Sequence, residues 1–161
     1  MRPLSMQYSV TVGAPLEQVL AWCQSRESRR SWPGVTWVAK QGPGTLTYEV
    51  DMRTKGAKDA TIMVEEHLRH AEEDENGYPY FETAQRWSWP TQDASTGWTT
   101  YRFVPVDGQT RIDYTMRLVL PGSVAGERLN LSLFGRAIER AAELYVERLG
   151  EHFSTAGVST G

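Results

Sequence analysis

Near the end of the chain, apolar residues recur at three- and four-residue steps. Leu131, Phe134, Ile138, Ala141, Ala142, Tyr145, Leu149 and Phe153 make one stripe, and Arg136, Glu139, Arg140, Glu143, Glu147, Arg148 and Glu151 fill the opposite face. The spacing predicts one long amphipathic helix over about residues 125–155, with residues 123–130 leading into it. Opposite charges stand three residues apart at Arg136/Glu139, Arg140/Glu143 and Arg148/Glu151. Each such pair contributes only about 0.2–0.5 kcal/mol, so the pairs mark a solvated face and do not anchor the helix. The stripe needs a surface to lie on.

Upstream, the dominant period is two. Residues 7–12 alternate polar and apolar and predict a first strand. Gly13-Ala14-Pro15 ends it, with Pro15 suited to the first helical position. Leu16, Val19, Leu20 and Cys23 then fall at helical spacing, and residues 26–32 read as a second, polar helical turn or two, so two short helices occupy 15–32. Further strands are expected at 35–40, 46–52, 59–69, 78–89, 98–106 and 111–120. The clearest sets Leu46, Tyr48, Val50 and Met52 against Thr47, Glu49, Asp51 and Arg53, a strand with one wet face. Turn signals separate the strands: Gly42-Pro43-Gly44, Gly56, an acidic turn at 70–77 closing on Asn76-Gly77, and Asp107-Gly108. Short turns between successive strands imply an antiparallel meander, curled so that its apolar face is covered. Residues 1–161 read as a single domain, with strands over 35–120 between the short helices and the long one.

Composition narrows the function classes. A chain of 161 residues buries roughly 70 % of its unfolded surface, enough for a core with room for a pocket. A net charge of -3 without a basic run argues against nucleic acid as a partner. No apolar run is long enough to span a membrane, and residues 1–10 lack the apolar core of a signal peptide. The lone Cys23 has no disulfide partner within the chain, and a cytoplasmic location is expected. Six Trp and seven Tyr, mostly in the strand-like middle, suit either a core or the wall of a ligand cavity.

The opening Tyr8-Ser-Val-Thr-Val-Gly-Ala-Pro-Leu-Glu-Gln-Val-Leu-Ala-Trp22, followed by Ser31-Trp32-Pro33, resembles the START-like (SRPBCC) superfamily. So do Gly108-Gln-Thr-Arg-Ile-Asp-Tyr114, Leu120-Pro121-Gly122 and the long helix after them. The similarity follows the element order of nearly the whole chain, and Trp32-Pro33 and the length place the polyketide cyclase/dehydrase (aromatase/cyclase) branch nearest. It implies an α+β helix-grip (Bet v 1/START-like) fold, a curved seven-stranded antiparallel sheet wrapped around the long C-terminal helix. Two short helices lie between strands 1 and 2, and a ligand cavity lies between sheet and helix. Members include aromatase/cyclases of antibiotic biosynthesis, dehydrases, lipid and sterol carriers, hormone receptors and quinone-binding proteins. The fold alone does not choose among them.

On a half-wet sheet the apolar side faces inward, which points Leu46, Tyr48, Val50 and Met52, Tyr101 and Phe103, and Ile112, Tyr114, Met116 and Leu118 to the cavity. The fourth strand leaves two registers open. Apolar counting turns Ile62, Val64, Glu66 and Leu68 inward, whereas the match to the aromatase/cyclases turns Thr61, Met63, Glu65 and His67 inward, with His67 where those enzymes carry an arginine. The fifth offers Tyr80, Glu82, Ala84 and Arg86, or Phe81, Thr83, Gln85 and Trp87, with the second set preferred. A slip of one residue reverses every face.

The chemistry follows from those faces. His67 and His70 point to opposite sides of a strand and make a poor metal pair, and Cys23 on an apolar stripe reads as a buried structural thiol. No nucleophile elbow, Walker loop or dinucleotide fingerprint is present, and neither a cofactor nor a metal is expected. Trp32, Trp37, Tyr48, Trp87, Tyr114, Phe134 and Ile138 are the candidate lining for a hydrophobic or aromatic small molecule. His67, Glu66 and Tyr101 are the candidate catalytic groups. His67 is the proton shuttle if it faces inward; otherwise Glu66, in an apolar pocket, keeps its proton and serves as an acid. Tyrosine or arginine donors would stabilise a developing enolate. The expected function is cofactor-independent aldol cyclisation and dehydration of a poly-keto substrate, by a monomer or homodimer. The alternative is a carrier or sensor without chemistry.

Overall fold

A computed structural model describes residues 3–51, 61–88, 95–119, 123–124, 127–128 and 131–160, with side chains except at 3, 123–124, 127–128, 131–134 and 155–160. In chain order the elements are β1 (Pro3–Val12), α1 (Leu16–Gln24), a 3-10 helix (Glu27–Ser31), β2 (Val35–Gly42), β3 (Thr45–Asp51), β4 (Thr61–Glu73), β5 (Pro79–Ser88), β6 (Ser95–Val106) and β7 (Gln109–Val119). A two-residue ladder, β8 (Ser123–Val124) with β9 (Glu127–Arg128), precedes α2 (Leu131–Thr160). The seven long strands form one sheet in the order β1-β7-β6-β5-β4-β3-β2, antiparallel at every step. With α1 and the 3-10 helix between the first two strands and α2 as the long helix, this is the helix-grip arrangement.

Period-two patterning sets the faces. Tyr48 lies opposite Val64 and Val50 opposite Ile62, all four buried, while Glu65 and His67, on the other parity of β4, face water. On β5 the buried set is Phe81, Thr83, Gln85 and Trp87. Apolar counting therefore predicts the β4 register, and the family match that turned His67 inward is off by one residue.

Several boundaries differ from expectation, with β1 beginning at Pro3 rather than 7 and β6 at Ser95 rather than 98. β4 runs on to Glu73, because Ala71, Glu72 and Glu73 pair with Phe81, Tyr80 and Pro79; the acidic run is an exposed strand end, not a turn. The turn is confined to 74–77, where Asp74 Oδ1 accepts from the Asn76 and Tyr78 N–H groups, each at 2.9 Å. The long helix starts at Leu131, the first residue of its apolar stripe and inside the outer bound near 125, with β9 at residues 127–128 before it.

Helix α2 lies on the sheet through Ile138, Ala141, Ala142, Tyr145, Val146, Leu149 and Phe153, the face that its 3.6-residue period dictates. Its axis comes close to β1: a Cβ placed on Gly150 would lie 2.7 Å from Val10 Cγ2. Two hydrogen bonds fix its rotation. Tyr8 donates its hydroxyl to the Glu139 carbonyl at 3.0 Å, and Arg148 Nη1 donates to the Ser31 carbonyl at 3.1 Å. At the other end of the sheet the β2–β3 tip folds over β4. Gly44 takes φ 71°, and its carbonyl accepts from the Leu68 N–H at 2.8 Å.

Candidate functional site

Arg29 is the residue around which the interior is arranged. The 3-10 helix carries Arg29 and Arg30, with Arg26 just before its first residue, and Arg26 and Arg30 stay in water, both against Glu27. Arg29 turns under the sheet and is only 1 % exposed. It meets Glu66, also 1 % exposed, on the inner face of β4. Nη2 donates to Oε1 at 2.8 Å, and Nε donates to Oε2 at 3.0 Å. Tyr48, one strand over, donates its hydroxyl to Oε2 at 2.9 Å. The second guanidinium nitrogen, Nη1, reaches the Cys23 carbonyl at 2.7 Å, Ser28 Oγ at 2.6 Å and the Tyr145 hydroxyl at 3.1 Å. Tyr145 in turn shares a hydrogen bond with the Tyr101 hydroxyl at 2.7 Å.

A buried ion costs several kcal/mol unless its partner and its remaining hydrogen bonds are well placed, and here they are. Burial acts against the Arg29 cation, but the Glu66 carboxylate and the Tyr101 and Tyr145 hydroxyls outweigh it and hold the guanidinium well above its ordinary value. Burial is also the first cause that raises Tyr48, Tyr101, Tyr114 and Tyr145, so these hydroxyls are protonated donors at neutral pH. The Cys23 thiol is pushed up to about 12 by burial, with Arg29 acting weakly against it, which leaves it inert as a nucleophile.

Beside this ion pair opens a cleft of about 460 Å³, within the range of small-molecule sites. It lies between the α1–3-10 connection, the β2–β3 hairpin and the facing ends of β4 and β5. Leu46, Leu68 and Phe81 form its apolar walls, Arg29, Glu66 and Thr83 line its polar part, and Arg26, Glu27 and Lys40 are its charged surroundings. Thr83 Oγ1 is buried there without a hydrogen-bond partner.

Of the residues expected at the site, Glu66 lines this cleft. His67 does not: it is about half exposed on the outer face, between Thr45 Oγ1 at 3.2 Å and Glu65 Oε1 at 2.6 Å. Glu66 lies in an ion pair, not in the purely apolar pocket that its acid role assumed. Trp37 is 37 % exposed on edge strand β2. Trp32, Tyr101, Tyr114 and Tyr145 pack ring to ring, with Trp32 stacked on Tyr145 at 4.9 Å and Tyr101 edge-on to Tyr114 at 5.2 Å. Trp87 donates its Nε1 proton to Gln85 Oε1 at 3.1 Å, and Ile138 is buried beneath the sheet. These aromatics fill the centre of the grip, where the sequence suggested a cavity wall. Tyr48 and Tyr101 support the ion pair from behind. The Phe134 side chain lies outside the described residues.

Arg29 is not among the residues expected at the site, and Thr83 is expected to face inward without being named a site residue; one signal points to Arg29. A glutamate on the apolar face of β4 demands a buried cation or donor, and three arginines stand in the 26–30 segment. Among the described residues no group of three or more His, Cys, Asp or Glu could hold a metal ion, and no helix is long and apolar enough to cross a membrane.

The family model described as polyketide cyclase/dehydrase and lipid transport matches residues 3–153. No curated protein sequence matches the chain. Among solved structures, a conserved protein from Geobacillus kaustophilus is similar over 95 % of this chain and 97 % of its own, with TM-score 0.75 and 11 % identity. A START superfamily protein from Mycobacterium smegmatis gives TM-score 0.65 at 11 % identity, over 94 % of this chain and 98 % of its own. The ZhuI aromatase/cyclase from Streptomyces sp. R1128 gives TM-score 0.64 at 18 % identity, over 94 % of each chain. At these identities the structural likeness is one of fold.

Proposed function

The chain belongs to the polyketide cyclase/dehydrase and lipid transport family, and from that premise we propose that its cleft takes an apolar carbonyl compound and promotes its aldol cyclisation and dehydration. The observation that carries this reading is the meeting of apolar walls, Leu46, Leu68 and Phe81, with the buried Arg29–Glu66 pair. Apolar walls desolvate and fold a β-keto chain so that one methylene carbon faces one carbonyl, and such positioning alone supplies several kcal/mol of the barrier. Glu66 takes the methylene proton. The resulting enolate carbon attacks the carbonyl, whose π electrons move to oxygen, and the Arg29 guanidinium stabilises the negative oxygen. Proton return to that oxygen gives the aldol alcohol. Loss of a second α-proton with the hydroxyl releases water. Tyr48, Tyr101 and Tyr145 are positioning residues that hold the ion pair.

A second reading, a carrier that only binds, is favoured by one feature. The Glu66 oxygens already accept from Arg29 Nε, Arg29 Nη2 and the Tyr48 hydroxyl, so they are engaged within the protein rather than turned to a ligand. A synthetic poly-β-ketone thioester, followed by product mass spectrometry, separates the two. For an enzyme, the wild type and His67→Ala cyclise it at equal rates, and folded Glu66→Gln is about 10²- to 10⁴-fold slower. For a carrier, the compound binds saturably and leaves unchanged. Absence of binding and of turnover with apolar carbonyl compounds removes both readings.

A further inference from the structure

Among the described residues, Thr83 is the buried polar group of the cleft without a hydrogen-bond partner. Its side chain is on the inner face of β5, 4 % exposed, and lines the cleft. It lies opposite Leu68 and diagonal to Glu66, since Glu66 pairs with Gln85 and Leu68 with Thr83. Its neighbours on the same face are satisfied: Gln85 Nε2 donates to Thr99 Oγ1 at 2.9 Å, and Trp87 Nε1 donates to Gln85 Oε1 at 3.1 Å. Among the described residues, the other buried side-chain polar atom without a partner is Trp22 Nε1, on α1 and not among the cleft's lining. A valine would fill Thr83's space without a buried hydroxyl to satisfy, so the hydroxyl is explained by something that enters the cleft.

The neighbouring carboxylate specifies what that is. A carboxylate offers about four lone-pair sites. Three donors serve Glu66: Arg29 Nη2 reaches Oε1 at 2.8 Å, the Tyr48 hydroxyl reaches Oε2 at 2.9 Å, and Arg29 Nε is shared between Oε2 at 3.0 Å and Oε1 at 3.2 Å, so the longer half of that shared contact is the one a fourth donor displaces. A ketone could accept from Thr83 but would turn its lone pairs on Glu66. An O–H group on an apolar skeleton can donate to Glu66 and accept from Thr83 at once. We infer that Thr83 is the specificity residue of this cleft, paired with Glu66 to select compounds carrying an enolic or phenolic hydroxyl over those that carry an ether or no oxygen. The inference rests on the reading of the cleft as a ligand site. It adds that the site holds the enol form, which is the nucleophile of the aldol step.

The test is calorimetric titration of 2-naphthol and naphthalene into the wild type, Thr83→Val and Thr83→Ser. The wild type is expected to prefer the naphthol, and Thr83→Val to shrink that preference by about three- to tenfold, the worth of one hydrogen bond, because the contact to Glu66 stays and the contact to Thr83 is lost. Thr83→Val is also expected to melt at or above the wild-type temperature, since it removes an unpartnered hydroxyl, and Thr83→Ser to retain the full preference. A preference undiminished in Thr83→Val, or a Thr83→Val protein less stable than wild type, overturns the inference. Equal binding of both probes to the wild type also overturns it, but leaves the cleft as a ligand site. Failure of both probes to bind the wild type overturns the ligand-site reading and this inference with it.

Discussion

Arg29 and Glu66 show how much one buried pair can decide. Together they place a full positive and a full negative charge beneath the sheet, 2.8 Å apart at their closest atoms. Removing one partner strands the other charge. Arg29→Met is therefore expected to lower unfolding stability by about 3–5 kcal/mol in urea titrations, and a double Arg29→Met, Glu66→Met variant to recover most of that loss. A double variant no more stable than the single would mean that the wider tyrosine network, and not the ion pair, sets the cost. At this scale sequence reading succeeded only where a local pattern applies. Glu66 could be placed inward because Ile62 and Val64 share its parity, and the same parity turns His67 to water. Which of Arg26, Arg29 and Arg30 enters the core could not be read, because the polar 26–30 segment has no apolar stripe to set its rotation.

Elements are governed by close approach. Gly150 sits where α2 crosses Val10 of β1, and the 2.7 Å gap to a hypothetical Cβ cannot be relieved by a stiff β-branched neighbour without moving the helix. Alanine gains roughly 1 kcal/mol in helix propensity at such a site, while overpacking costs about 1–3 kcal/mol. Gly150→Ala is thus expected to be destabilising in thermal unfolding, and Val10→Ala in the same chain to restore part of the loss. A more stable single variant would show that propensity outweighs contact here. Strand positions and order were legible because each strand carries its own alternation, and the Asp107-Gly108 hairpin was legible because both residues take φ above zero, 49° and 79°. The end of β4 was not legible. The acidic residues that read as a turn are held extended by their pairing with 79–81 on β5, a partner that local composition does not reveal.

At the scale of the whole molecule, the interior is tuned against ionisation. Tyr48, Tyr101, Tyr114 and Tyr145 lie above the ordinary tyrosine value, and Cys23 is pushed up to about 12. Below about pH 7.5 both the folded and unfolded chains keep these protons, so the groups add no pH dependence there, and the unfolded Cys23 thiol is the first to lose its proton above it. As pH rises through about 9–10 the unfolded chain gives them up first, and stability falls with each further unit. Buried-tyrosine ionisation, read as tyrosinate absorbance, is expected to appear together with loss of the circular dichroism signal in one alkaline transition. Tyrosinate that forms for these residues in a still-folded protein would contradict the burial argument.

The sequence by itself determined the architecture: the seven strands, the short helices before β2, the long closing helix, and the inward faces of most strands. Those features follow from periodicities of two and 3.6, which are local and are repeated often enough to survive an error at one residue. Only the tertiary structure decided what the interior contains. Trp32, Tyr101, Tyr114 and Tyr145 could line a cavity or fill it, and that depends on how four rings from different elements pack against one another. The ion pair joins residues 37 positions apart, and the cleft beside it is bounded by four separate segments of the chain. Neither leaves a periodic trace, because the energy that selects them comes from desolvation and packing in three dimensions rather than from the order of residues along one strand or helix.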